Sequence, residues 1–135
     1  TETNEVPASQ LTDRSYWESG YGSPSSLVLL DEMMEIVRGE VSSALPKYNK
    51  YYVGITQGGA ATNFVTFRPR KDHLIAEFKL KPDDDVNALL QQSGLELLGP
   101  DHWWDYRFLL RSGDVVEQRA LLTDLVRRSR QQYSG

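Results

Sequence analysis

From residue 24 onward, apolar side chains return every three or four positions. Leu27, Leu30, Met34, Val37 and Val41 form a stripe that Leu29, Met33 and Ile36 widen, the pattern of a helix with one buried face. Ser23-Pro24 supplies a capping hydroxyl followed by proline at the first helical position. Asp31, Glu32, Glu35 and Glu40 fill the opposite face, and Pro46 is read as its close. The period then drops to two. Tyr51, Val53 and Ile55 are expected on one face of a first strand, with Lys50 and Tyr52 on the other. Gln57-Gly58-Gly59-Ala60 reads as a turn. A second strand over 63–68 points Val65 and Phe67 inward and Phe64, Thr66 and Arg68 outward. Pro69-Arg70-Lys71-Asp72 makes a tight hairpin. A third strand buries Leu74, Ala76, Phe78 and Leu80, leaving Ile75, Glu77, Lys79 and Lys81 outward.

Past Pro82, the acids Asp83, Asp84 and Asp85 open a short helix carrying Val86, Leu89 and Leu90, and Gly94 ends it. A fourth strand is predicted over 104–110. A last helix follows Ser112-Gly113-Asp114, with Val115, Leu122, Leu125, Val126 and Ser129 on one stripe and Arg127, Arg128 and Arg130 in its final turn. The predicted fold class is α+β, in the order α-β-β-β-α-β-α. It has an antiparallel sheet of about four strands, covered on one face by the first and last helices. Residues 1–20 are polar and aperiodic and are read as a tail or linker, with Tyr16 and Trp17 anchoring its end; residues 21–135 are read as one domain.

Length and composition agree with that outline. A chain of 135 residues with 39% apolar content suits one domain with one core. No window approaches the roughly 18 apolar residues of a membrane span, nothing reads as a signal peptide, and no membrane partner is expected. The absence of cysteine removes disulfides, thiolate nucleophiles and thiolate metal sites, and agrees with a cytoplasmic location. A start at Thr1 rather than Met is read as an excised domain, a trimmed chain or a processed start.

Charge changes the picture more. The net charge is −4, yet residues 47–81 carry seven bases against Asp72 and Glu77, or +5. Residues 1–46 carry eight acids and two bases, or −6, and residues 82–135 carry nine acids and six arginines, or −3. The overall field does not steer this protein to nucleic acid, so polyanion binding has to be local.

Several motifs could carry chemistry. Glu77-Phe78-Lys79 after Asp72 has the look of a restriction-type nuclease strand, in which Asp and Glu hold a divalent metal and Lys polarises water. In that core the Asp lies near the start of the second strand, where this chain has Asn63. Asp72 falls in the hairpin on the opposite parity from Glu77, so the pattern is read as a cross-strand charge ladder on a solvated face. Asp83-Asp84-Asp85 is read as a helix cap, and Gly58-Gly59 as a turn with no Gly-Lys-Ser/Thr after it. His73 and His102 lack the spacing of a catalytic set. No cofactor, metal or catalytic residue is expected. The remaining candidate is the basic sheet face. Lys50, Tyr52, Arg68 and Lys79 would lie side by side, Arg70, Lys71 and His73 would extend the charge around the hairpin, and Trp104 would stack if it is the outward member of the Trp103/Trp104 pair. Cations interleaved with aromatics suit a nucleic-acid backbone; an ordinary solvated face with edge lysines is the alternative.

The segments YNKYYVGI, NFVTFRPRKDHLIAEFKL and HWWDYRFLL, with a final helix ending in Ser129 and Tyr133, resemble a bacterial and archaeal domain family labelled "predicted transport protein". Those domains sit at the C-terminal end of larger chains, including GmrSD-type restriction proteins and other defence or nuclease-like proteins. The likeness spans about residues 24–133. His102-Trp103 and the terminal helix are also similar to the YjbR/MmcQ-like double-wing domains, from which the long helix at Pro24 departs. The resemblance implies an accessory or recognition domain near nucleic acid. The expected function is non-enzymatic binding of DNA or RNA through the basic face. The alternatives are docking on other domains of the parent chain or on a homodimer partner and, last, a metal-dependent nuclease using Glu77 and Lys79.

Overall fold

The apolar stripe that begins at residue 24 covers a sheet, as its period requires. A computed structural model describes residues 12–99 and 106–134. In chain order the elements are α1 (Arg14–Ser19), α2 (Pro24–Glu40), β1 (Ala44–Tyr48), β2 (Val53–Gln57), β3 (Ala60–Ala61), β4 (Val65–Pro69) and β5 (Leu74–Phe78). There follow α3 (Asp84–Ser93), β6 (Leu97–Leu98), β7 (Tyr106–Leu110), α4 (Asp114–Glu117) and α5 (Arg119–Ser134). The fold is α+β, and every strand pairing is antiparallel. The sheet has seven strands in the order β1-β2-β4-β5-β7-β6, with β3 hairpinned on β2.

The core follows the predicted parity except at Phe64, expected outward but buried in the core just before β4 begins at Val65. Val53, Ile55, Val65, Phe67, Leu74, Ala76, Phe78, Phe108 and Leu110 are buried on one face, against Leu27, Leu30, Met33, Val37, Leu122, Leu125 and Val126 of α2 and α5. Phe78 and Phe108 stack at 5.4 Å between ring centroids across neighbouring strands. Each buried side chain of this size contributes about 1.5–3 kcal/mol of transfer free energy. The caps are also as read. Ser23 Oγ accepts from Ser26 N, Asp83 caps α3 through Asp85 N and Val86 N, and Gly94 ends α3 in the left-handed region at φ 78°.

Four expectations are corrected. The sheet exceeds the expected four strands: β3 and β6 are two-residue strands, too short to show a period, and β1 carries Pro46, which strands admit at a sheet edge, so Pro46 does not close α2, which ends at Glu40. Lys50, Tyr51 and Tyr52 are not strand residues: 49–52 is a turn, closed by Asn49 N donating to Tyr52 O at 3.0 Å. The last helix is two, breaking at Gln118. Residues 14–19, assigned to a tail, are α1: Asp13 caps it, and Trp17 is fully buried with its Nε1 donating to Asn49 O at 3.0 Å. Arg14 binds Asp31 through both Nη groups at 2.8 and 2.9 Å, tying α1 to α2. Among the described residues no helix is long and apolar enough to cross a membrane.

Candidate anion-binding site

The strand register that buries Ala76 and Phe78 under the helices turns Thr66, Arg68, Ile75, Glu77, Arg107 and Leu109 to the opposite face. Glu77, expected to project into solvent, is fully buried there, with a side-chain exposure of 0%. Thr66 and Arg107 stand directly opposite it on the two flanking strands. Its Oε1 accepts from Thr66 Oγ1 at 3.1 Å and from Arg68 Nε at 3.0 Å, and its Oε2 accepts from Arg107 Nε at 2.8 Å. A buried carboxylate is tolerable when its lone pairs are met in this way. The charge ladder therefore exists, but inside the protein. Both Glu77 oxygens are occupied by donors, and Asp72 lies away in the hairpin, so the two acids do not form an open metal pair. Among the described residues no three His, Asp or Glu side chains gather as a metal site.

Antiparallel pairing decides which cations meet. Val53 on β2 pairs with Phe67 on β4, so the start of β2 lies beside the end of β4. The 49–52 turn and the 70–73 hairpin consequently share one end of the sheet, within about 10 Å for strands spaced about 4.8 Å apart. That end collects Lys50, Tyr52, Arg68, Arg70, Lys71 and His73. Lys50 Nζ sits 5.5 Å from the centre of the Tyr51 ring. The Arg70 guanidinium lies 5.8 Å from the centre of the Tyr21 ring, and its Nη1 donates to Pro69 O at 3.2 Å. Burial lowers the Arg70 pKa, and the neighbouring Arg68 charge lowers it further, with Glu77 partly opposing. The hairpin is anchored: Arg70 N donates to His73 O at 2.8 Å, and Ser23 Oγ at the start of α2 donates to Lys71 O at 2.7 Å. His73 Nδ1 and Asp72 Oδ1 are 2.6 Å apart, and this hydrogen bond holds the Asp72 carboxyl below its ordinary range.

One expected member does not join this group. Lys79 lies beyond the far end of β5, about 20 Å along the strand from His73 at about 3.3 Å per residue. Trp104 lies outside the described residues, as do His102 and Trp103. Sequence reasoning missed Tyr21, which stacks on Arg70, and Arg107, which completes the Glu77 cluster. Arg107 was legible as outward, since Tyr106, Phe108 and Leu110 alternate with it. Its neighbour was not, because strand order is not written locally.

Elsewhere Arg14 pairs with Asp31, Arg111 with Glu96, and Arg127 and Arg128 with Asp124. Among the described residues no carboxylate comes within ion-pair distance of Lys50, Arg70 or Lys71. This end of the sheet thus combines an unneutralised cationic rim with two tyrosines, Tyr21 and Tyr52, and has the chemistry to receive an oxyanion. No family model matches the chain, and neither a curated protein nor a solved structure matches it.

Proposed function

We propose that this domain is a non-enzymatic recognition module that binds nucleic acid through the 49–52 turn and the 70–73 hairpin. One observation carries the reading: Lys50, Arg70 and Lys71 converge at one sheet end without ion-pair partners among the described residues, although the chain as a whole is acidic. Phosphate-directed contacts of this kind set affinity rather than sequence preference. Tyr21 and Tyr52 beside them suit stacking with bases or sugars of a single strand. The resemblance to accessory domains of restriction and defence proteins agrees with this role, in which a neighbouring domain of a longer chain would supply any chemistry.

Titrating labelled single-stranded and duplex DNA at two salt concentrations tests it. Three phosphate contacts give a log–log salt slope of roughly −2 to −3. Reversing charge with Arg70→Glu plus Lys71→Glu should abolish binding at low salt. Absence of binding in the unmodified protein at low salt, or binding indifferent to the reversal, refutes the reading.

A further inference from the structure

We propose that Arg68 and Arg70 together form a preorganised subsite for one phosphate group. This inference deepens the nucleic-acid reading and rests on it for the natural source of that phosphate. The two arginines are two residues apart on one strand and its continuation, so they point to the same face with Cα atoms about 6.6 Å apart. Each guanidinium is held in place by a partner that uses only part of its five N–H donors. Arg68 gives Nε to the buried Glu77 carboxylate, leaving both Nη groups for a ligand. Arg70 gives one Nη1 bond to Pro69 O and its π-face to Tyr21.

Charge favours an incoming anion at this point. Arg68 shares Glu77 with Arg107, and Arg70 has no carboxylate at ion-pair distance among the described residues. Arg68, Arg70 and Glu77 taken alone carry a net charge of +1, and burial together with the like charge of Arg68 lowers the pKa of Arg70. An oxyanion between the guanidinia relieves that repulsion and fills the remaining donors. Because both side chains are already fixed, little rotamer entropy is lost on binding. Continuing the Val53–Phe67 register puts Tyr52 opposite Arg68, and Tyr21 lies against Arg70. A phosphate here would therefore have a tyrosine beside each arginine for the attached sugar or base.

Arginine Nε–Hε resonances, followed by NMR in the full chain, give the test. One arm adds inorganic phosphate and the other a short single-stranded DNA oligonucleotide, each with the wild type and with Arg68→Lys and Arg70→Lys. Lysine keeps the charge and removes the fork, so each variant should weaken both ligands about tenfold without changing the salt slope of the oligonucleotide. Arg68→Lys also disturbs the Glu77 cluster. Arg70→Lys does not, and it keeps the test decisive if the first variant fails to fold. Saturable shifts at Arg68 and Arg70 with both probes, with the Arg68 shift titrating about tenfold more weakly in Arg70→Lys, support the subsite. The same shifts with phosphate and no oligonucleotide binding also support it, but sink the nucleic-acid reading. Oligonucleotide binding that leaves both resonances unmoved and is indifferent to Arg70→Lys overturns the subsite and spares that reading.

Discussion

Replacing Glu77 by glutamine should be among the most damaging single-atom-scale changes in this protein. The amide would keep the volume of the side chain but offer one carbonyl oxygen where the carboxylate offers two. Its NH2 would have to face Arg107 Nε on one side, or Thr66 Oγ1 and Arg68 Nε on the other, the donors now held at 2.8–3.1 Å. Two arginines would also lose their compensating charge. Breaking a fully buried ion pair by removing one partner costs about 3–5 kcal/mol. Here the arginine side chains keep 29% and 18% exposure, and their partial hydration reduces the loss to roughly 2–4 kcal/mol. Against a total of about 5–15 kcal/mol for a domain, that is a substantial fraction. Urea unfolding followed by far-UV circular dichroism and by tryptophan fluorescence should show a lower midpoint with an unchanged m-value. Thr66→Val removes one neutral donor and should cost only about 1 kcal/mol. A Glu77→Gln loss below about 0.5 kcal/mol, within the scatter of ordinary surface substitutions, would mean that this carboxylate does not balance the two arginines.

Gly54→Ala should cost about 1–3 kcal/mol in the same assay, because the new Cβ would collide with Asn63 Oδ1, the atom that accepts from Ile55 N at 2.9 Å; a neutral result would refute that close approach. Ser129→Ala should be neutral or stabilising, since Ser129 Oγ is buried with no hydrogen-bond partner among the described residues and its desolvation is uncompensated; a loss of more than about 1 kcal/mol would reveal a partner. Asp72 titrates below its ordinary value when folded, chiefly through its hydrogen bond to His73. Its contribution is therefore complete above about pH 3.9, the unfolded value, and is lost as pH falls through the lower folded value. The urea midpoints of wild type and Asp72→Asn should accordingly differ more at mildly acidic than at strongly acidic pH, and a gap that does not change with pH would contradict this assignment.

The local sequence determined what lies within a few residues along the chain. Ser23-Pro24 and the three-four spacing from Leu27 to Val37 set the start and buried face of α2. Alternation set the inward residues of β4, β5 and β7, and Asp83 with Gly94 bounded α3. These features are legible because helix and strand periods are properties of consecutive residues. The outward direction of Arg68, Glu77 and Arg107 was equally a matter of parity. What only the tertiary structure decided is which outward residues meet. The order β1-β2-β4-β5-β7-β6 sets Arg107 beside Glu77 across 30 residues of sequence. It thereby turns an apparently solvated acid into a buried acceptor. The same packing draws Trp17 out of a polar stretch to bind Asn49 and lays Tyr21 on Arg70. Neighbours of this kind are chosen by how the whole core closes, a free energy summed over the domain, and no short window of residues encodes it.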